Sequence, residues 1–222
     1  MVLNVQNVRK KYGRTVVLDG VSFDAESGEC IGLVGGNGSG KSTLLGILAG
    51  VTRADSAEFS CDGCDLLGNH KKRSSVVGYV PQGVPLFDEL SARDNLLLWY
   101  GRRKMEAELE NGVLGLLGIG EFLRVKVGSM SGGMKKRLAI GCAVYNDPKI
   151  LLLDEPSAAL DLICKEKILS YLKSFKENGG IAIIATHDIG EIEFCDRLLV
   201  LKDGKLSPVE YGGDIARLVS AI

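Results

Sequence analysis

The chain has 222 residues, of which 45% are hydrophobic and 25% are charged. This composition is typical of a globular protein and excludes a disordered, collagen-like or fibrous chain. The 27 lysine and arginine residues are balanced by 28 aspartate and glutamate residues, so there is no net positive field to hold a nucleic acid backbone. We therefore expect one folded unit over residues 1–222 and no nucleic acid partner.

The N-terminal stretch Met1 to Lys11 lacks the apolar segment and the cleavage site of a secretory signal. The six cysteines are therefore expected to be free thiols in a reducing cytoplasm. The longest uncharged run, Ser74 to Phe87, is shorter than the roughly 20 apolar residues that a membrane-spanning helix needs. Cys61 and Cys64 have the spacing of a zinc or redox pair, but no second pair completes it, so a turn at Asp62 and Gly63 is favoured.

Taken in chain order, the first element is β-type patterning over Val2 to Ala25, around a turn at Tyr12 and Gly13, which predicts antiparallel strands. Uninterrupted apolar runs then predict strands buried on both faces at Cys30 to Val34, Ile150 to Leu153, Ile181 to Ala185 and Leu198 to Leu201. Helical patterns such as Leu162 to Lys176 lie between these runs. The alternation predicts an α/β fold with a mostly parallel sheet. Leu86 to Asn146 carries helical patterns only and is expected to form a helical insert.

A glycine-rich loop follows the first buried strand and precedes a helical run, which is the context that a phosphate loop requires. It fits the pattern G-x-x-x-x-G-K-[ST] with Gly35, Gly36, Asn37, Gly38, Ser39, Gly40, Lys41, Ser42 and Thr43. The glycines allow backbone N–H groups to point at phosphate oxygens, and the helix N-terminus adds its dipole. Lys41 is expected to contact the β- and γ-phosphates of ATP. The Ser42 hydroxyl is expected to bind Mg²⁺.

Two acids and a histidine are placed where strands of the predicted sheet end. Asp154 and Glu155 follow a buried strand, and ligands bind at the carboxyl ends of strands in open α/β sheets. Neighbouring residues on a strand point in opposite directions, so Asp154 is assigned to the metal and Glu155 to the general base. His187 follows Ile181 to Thr186 and could bond the γ-phosphate or the attacking water. Solvated acids at a strand end, and a purely structural histidine, are the alternatives.

Further motifs, in the same order along nearly the whole chain, resemble those of the ABC ATPase family. The aromatic Tyr12 resembles the residue that stacks on adenine. The remaining motifs are the glutamine-loop segment Tyr79 to Gln82, the family signature within Met130 to Arg137, the connecting loop Ser157 to Asp161, and the switch histidine within Thr186 to Asp188. P-loop kinases and GTPases lack the signature, so it is the most specific of these motifs.

The resemblance implies the fold of a P-loop NTPase, which has a RecA-like core, an antiparallel β subdomain and a helical subdomain. Residues 1–83 and 147–222 would form the ATP-binding core, and residues 84–146 the helical subdomain with the signature. Gln82 would contact Mg²⁺ and the attacking water, and thus acts in catalysis with Glu155 and His187. The signature residues Ser131, Gly132 and Gly133 would close on the ATP held by a partner chain.

The resemblance also implies partners. Only one phosphate loop is present, so the second would come from another chain, in a head-to-tail homodimer or heterodimer. The dimer would hydrolyse ATP to drive a separate transmembrane permease, from the cytoplasmic face of the cell membrane. The run from Ser131 to Arg137, with Leu90 to Leu96, is most similar to exporters of the ABC-2 type.

Three positions depart from the family pattern: Gly36 replaces a frequent proline, Met134 a frequent glutamine, and Ala159 a usual glycine.

The first alternative function is an ABC ATPase that acts without transport, in regulation, repair or cell division. The second is a metabolic P-loop kinase or GTPase, which would need an acceptor pocket.

Overall fold

The computed structural model of the chain describes residues 1–158 and 160–221, so that Ala159 lies outside the described residues. Two short 3₁₀ turns, Ile119–Phe122 and Val127–Ser129, add to its helices and strands. In chain order these elements are β1 (Val2–Tyr12), β2 (Thr15–Glu26), β3 (Cys30–Val34), α1 (Lys41–Ala49), β4 (Ser56–Cys61), β5 (Cys64–Asp65), α2 (His70–Val76), β6 (Val77–Val80), α3 (Ala92–Leu97), α4 (Arg102–Asn111), α5 (Val113–Leu116), α6 (Gly132–Ala143), β7 (Ile150–Asp154), α7 (Leu162–Glu177), β8 (Ile181–Ala185), α8 (Ile189–Phe194), β9 (Arg197–Lys202), β10 (Lys205–Val209) and α9 (Ile215–Ala221).

An antiparallel sheet is formed by the strands in the order β2-β1-β4-β5. As expected, β1 and β2 form a hairpin, and Gly13 takes a φ of 61° in its turn. Asp62 and Gly63 also have positive φ, at 47° and 75°, so the two cysteines around them flank a tight turn between β4 and β5. The sequence pattern did not identify β4 and β5.

The second sheet has the strand order β10-β9-β3-β8-β7-β6, in which every pair is parallel except the hairpin of β9 and β10. All residues of β3, β7 and β8 are buried, as their uninterrupted apolar runs predict. One face of this sheet packs against α1 and the antiparallel sheet. The other face packs against α6 and α7, so the sheet is covered on both sides.

The chain between β6 and β7 contains helices and turns, and its β-pairing among the described residues is limited to an isolated bridge between Ser91 and Lys126. Its apolar side chains, such as Leu96, Leu114 and Leu138, are fully buried and join the cluster under β6 and β7. No helix in the described part of the chain is both long and apolar enough to cross a bilayer.

Candidate functional site

The glycine-rich loop connects β3 to α1 and is shaped by glycines that no other residue could replace without strain. Gly35, Gly38 and Gly40 have φ of 152°, 78° and 108°, in the region that favours glycine. A Cβ on Gly35 would lie 2.4 Å from the carbonyl oxygen of Leu201. Gly36, by contrast, has open space around it, so the absence of the family's usual proline removes no contact. The loop therefore has the backbone geometry of a phosphate cradle.

Lys41 begins α1 and is buried, with its ammonium folded over the loop. Its Nζ donates to the carbonyl oxygens of Gly35 at 2.7 Å and Gly36 at 3.1 Å. Burial lowers the pKa of Lys41, whereas the charges of Glu155 and Asp154 oppose this shift. The Ser39 hydroxyl is buried beside the loop without a hydrogen-bond partner among the described residues. The loop thus holds a cation and a free polar group at the point where the sequence places phosphates.

The register of the parallel strands brings the other predicted residues to the same edge. Val80 of β6 pairs with Leu153 of β7, so that two residues later Gln82 lies beside Glu155. Asp154 pairs with Ala185 of β8, which places the next residues of both strands side by side. Because β8 also pairs with β3, the edge runs from the glycine loop through His187 and Glu155 to Gln82.

Glu155 differs from the expected geometry, because it is not a residue of the strand. Asp154 ends β7, and Glu155 has a φ of 50°, so the alternation of a strand does not separate the two side chains. Glu155 has a left-handed backbone instead, and its N–H donates to the carbonyl oxygen of Ala185 at 2.8 Å. Its Oε2 accepts a hydrogen bond from Nε2 of Gln82 at 2.8 Å. A strained backbone at one acid of a site is typical of a functional position.

His187 Nε2 lies 4.0 Å from Oε1 of Glu155, which is beyond hydrogen-bond range. Burial lowers the pKa of His187, the charge of Lys41 lowers it further, and Glu155 opposes both. The imidazole is therefore neutral at pH 7, with one N–H to donate and one nitrogen to accept.

Tyr12 is exposed at the tip of the β1–β2 hairpin, with the ammonium of Lys10 4.9 Å from its ring centroid. The same hairpin reaches the loop through Val17, whose Cγ1 would lie 2.8 Å from a Cβ on Gly40. The sequence-predicted aromatic is thus on an element that touches the glycine loop.

The signature residues Ser131, Gly132 and Gly133 form the start of α6. Ser131 is the N-cap, and its hydroxyl accepts from the N–H of Met134 at 3.3 Å. Among the described residues, no hydrogen bond or ion pair links these three signature residues to the glycine loop or to Asp154, Glu155 or His187. The structure therefore brings Gln82, Glu155 and His187 together on one edge and leaves the start of the signature helix unbonded to them.

The two signature glycines differ in the space around them, which makes them a matched pair. A Cβ on Gly133 would lie 2.4 Å from Sγ of Cys164, whereas a Cβ on Gly132 meets only Leu160, at 3.8 Å. Gly133→Ala is therefore expected to lower the free energy of unfolding by about 1–3 kcal/mol, the usual cost of overpacking. Gly132→Ala should be neutral or slightly stabilising, since alanine favours a helix. Urea denaturation checks both, and equal losses in the two variants would contradict the packing argument.

Two contacts at this edge were missed from the sequence. Lys165 of α7 donates to Asp188, next to the switch histidine, at 2.5 Å. Lys136 of α6 donates to the backbone carbonyl oxygens of Gln82 and Asp154. Lys136 is the second of three consecutive cations that end at Arg137. The sequence does not show which of them faces the sheet, because that depends on the rotation of the helix about its axis.

The chain is similar to known ATP-binding proteins over most of its length. The sequence pattern of the ABC transporter family matches residues 18–158 of the chain. The linearmycin resistance ATP-binding protein LnrL of Bacillus subtilis (strain 168) is 34% identical over 219 residues, which cover 96% of the chain and 70% of that protein. The Nod factor export ATP-binding protein I of Burkholderia lata is 36% identical over 210 residues, 91% of the chain and 68% of that protein.

Among solved structures, a dimeric ATP-binding cassette in a post-hydrolysis state, bound to ADP and Pi, has a TM-score of 0.80 and 31% identity. The similarity covers 94% of the chain and 99% of that structure. These findings confirm the predicted family, the α/β fold of a P-loop NTPase, and nucleotide binding. The chain belongs to the ABC transporter family and is an ATP-binding, ATP-hydrolysing subunit of such a transporter.

Proposed function

We propose that two copies of the chain assemble head to tail, so that the glycine loop of each faces the signature of the other. The observation that carries this proposal is the isolation of the first two residues of the SGG run: Ser131 and Gly132 are exposed and have no described bond to the chain's own site. They begin a helix of 12 residues, whose free N–H groups and dipole favour an anion. A second chain would bring its ATP phosphates to that position. The dimeric state of the similar cassette supports the arrangement.

The chain's own features fit a nucleotide with Mg²⁺. The positive-φ glycines leave N–H groups for the phosphates, and the buried Ser39 hydroxyl lacks a partner among the described residues. We assign Mg²⁺ to the oxygens of Ser42, Gln82 and Asp154, because this hard ion prefers oxygen ligands. When bound, Mg²⁺ supplies positive charge against the phosphate oxygens. The described residues contain no cluster of three or more acids, histidines or cysteines that could hold a metal ion.

In this proposal the edge of the sheet provides the hydrolytic groups. Glu155 accepts the proton of the attacking water, and Gln82, already bonded to its carboxylate, holds both in place. The neutral imidazole of His187 donates to the terminal phosphate, where Lys41 also lies within reach. Tyr12 stacks its exposed ring on adenine at the other end of the nucleotide.

We further assign residues 1–83 and 147–222 to the ATP-binding core and residues 84–146 to a helical subdomain. Helices α3 to α6 all lie between β6 and β7, which supports this division. The signature at the start of α6 then belongs to the helical subdomain, and Gln82 lies at the junction with the core.

We propose that the chain drives export through a separate permease and binds at the cytoplasmic face of the cell membrane. The similarity to proteins named for linearmycin resistance and Nod factor export supports an exporter of the ABC-2 type. Three large apolar side chains that follow the glutamine loop along the chain are more than half exposed: Phe87, Leu98 and Trp99. Asn95 joins Phe87 to α3, the helix that leads to Leu98 and Trp99, since its side chain bonds both the N–H and the carbonyl oxygen of Phe87. An exposed apolar patch of this kind is typical of a protein interface.

Membrane fractionation in the native host tests the permease proposal. The tagged chain is expected to sediment with membranes, and the double variant Phe87→Asp with Trp99→Asp to lose about tenfold or more of that fraction, as for an interface hot spot. Val51→Asp is the control, because Val51 is 72% exposed and lies on the loop after α1. Circular dichroism establishes that all variants are folded. A native chain that stays in the supernatant would favour an ABC ATPase that acts without transport.

A further inference from the structure

Lys136 is a buried lysine on α6, the helix that begins at the signature. Only 6% of its surface is exposed, although lysine is seldom buried without partners for its charge. None of the ion pairs in the described part of the chain includes it, even though its neighbour Lys135 pairs with Asp88 at 3.5 Å. Its burial therefore needs another explanation.

The ammonium of Lys136 is held by three backbone carbonyl oxygens from two other elements. Its Nζ donates to Pro81 at 3.2 Å and Gln82 at 3.3 Å, in the loop after β6, and to Asp154 at 3.4 Å, at the end of β7. Gln82 and Asp154 are the residues that carry two of the proposed metal ligands. The same ammonium therefore fixes the spacing between the loop that presents Gln82 and the strand that presents Asp154.

The surrounding charges are consistent with a cation at this point. Burial lowers the pKa of Lys136, but the carboxylates of Asp154, Glu155 and Glu191 all act in the opposite direction and favour its charged form. The next residue, Arg137, makes different contacts, because its guanidinium donates to the carbonyl oxygen of Leu117 and lies 4.8 Å from the ring of Phe122. Among these adjacent cations, Lys136 alone contacts the sheet edge that carries Gln82 and Asp154.

We propose that Lys136 is a positioning residue that couples the signature helix to the hydrolytic groups of its own chain. By holding the backbone of Gln82 against that of Asp154, it sets the 2.8 Å contact between the Gln82 amide and Glu155. The inference rests on the roles proposed above for Gln82 and Glu155. It adds a connection between the two composite sites of the dimer, each of which joins the glycine loop of one chain to the signature of the other.

The connection follows from the geometry of α6. Lys136 lies four residues after Gly132, a rise of roughly 6 Å along one stiff helical turn. In a head-to-tail dimer the signature closes on the partner's ATP, while Lys136 holds Gln82 and Asp154 of its own chain. When the partner's ATP shifts α6 through the signature, Lys136 therefore displaces the glutamine loop at the ATP site of its own chain.

The test compares Lys136→Met, which keeps the length of the side chain but removes its donors, with Lys104→Met. Lys104 is the control because it also donates to a backbone carbonyl, that of Tyr145 at 2.6 Å, and lies on α4, outside the sheet edge; it differs from Lys136 in its ion pair with Asp147. We expect kcat for ATP to fall roughly 10- to 100-fold in Lys136→Met, the scale on which small displacements of catalytic groups slow a reaction. KM should remain near the native value, and Lys136→Arg, which retains donors, should recover most of the rate.

A double-mutant cycle with Gln82→Ala separates positioning from a general structural effect. If Lys136 acts through Gln82, then Lys136→Met should slow hydrolysis little further once Gln82 is removed, because the two residues form one unit. Fully multiplicative losses would overturn the proposal, as would a kcat of Lys136→Met equal to that of Lys104→Met. Should Lys136→Met fail to fold, Lys136→Gln, which keeps an amide donor, is carried through the same cycle.

Failure of this inference is distinguishable from failure of the proposed site. An active Glu155→Gln variant would show that the hydrolytic roles are wrong, and the coupling would fall with them. An inactive Glu155→Gln together with an unimpaired Lys136→Met would overturn the role of Lys136 alone.

Discussion

Replacing Glu155 with glutamine is expected to reduce ATP turnover by about 10²- to 10⁴-fold, the usual contribution of a general base. Glutamine keeps the shape of the side chain but cannot accept the proton of the attacking water. ATP binding should persist, because the glycine loop and Lys41 are untouched. The removal of one negative charge from the site should also favour the ATP-bound dimer. Steady-state phosphate release, equilibrium nucleotide binding and size-exclusion chromatography with ATP measure these three properties.

The control for this variant is Glu193→Gln, which removes an exposed carboxylate from α8, away from the phosphate edge. Its turnover should match that of the native chain. Native turnover in Glu155→Gln would exclude Glu155 as the base and leave its strained φ of 50° without a catalytic reason. A loss of both hydrolysis and ATP binding would indicate instead that Glu155 supports the shape of the site.

The elements that could be predicted are those in which local pattern and tertiary burial agree. The runs at β3, β7 and β8 are buried in the sheet, and an uninterrupted apolar run is the pattern of such a strand. The glycine loop was predictable because its function needs fixed residue types at fixed spacing. The roles of its residues remain predictions, as do those of Tyr12 and the signature.

Other features depend on contacts that a linear pattern does not contain. The short strand β5 is exposed and has no apolar periodicity, so its pairing with β4 could not be predicted from the sequence pattern. The orientation of Glu155 depends on a left-handed backbone that non-glycine residues adopt only when the surrounding fold imposes it. The burial of Lys136 depends on how α6 is rotated about its axis relative to the sheet, and packing sets this rotation.

The register also explains why Gln82 and Glu155 meet although they are far apart in the chain. Gln82 lies two residues after Val80, and Glu155 lies two residues after Leu153. Because Val80 of β6 pairs with Leu153 of β7 in parallel, Gln82 and Glu155 lie side by side. No single strand carries the site. A one-residue slip of β6 against β7 would move Gln82 away from Glu155, so the packing that fixes the register also fixes the chemistry.

Mixing two inactive variants is expected to restore ATP hydrolysis if the chain forms the proposed homodimer. Lys41→Met removes the cation of the glycine loop, and Gly132→Asp puts a carboxylate where the signature would approach the partner's phosphates. Gly132 has open space in its own chain, and an acid in the first turn of a helix is favourable, so Gly132→Asp should fold normally. Each variant alone should show a small residual rate, because both sites of its dimer are defective.

In the mixed dimer, one site combines both defects, while the other pairs an intact loop with an intact signature. An equimolar mixture should therefore recover about one quarter of the native rate, since half of the dimers join unlike chains and each of these has one intact site. Phosphate release from the mixture, compared with the sum of the two separate rates, measures this recovery.

Mixtures with Glu155→Gln provide a control, because Glu155 and the glycine loop of one chain serve the same composite site. Gly132→Asp mixed with Glu155→Gln should also recover, since the loop and base of the first chain meet the intact signature of the second. Lys41→Met mixed with Glu155→Gln should not recover, because one site lacks the lysine and the other lacks the base. Recovery in this last mixture would contradict the assignment of Lys41 and Glu155 to one site. Recovery in no mixture would favour a heterodimer with a different ATPase chain.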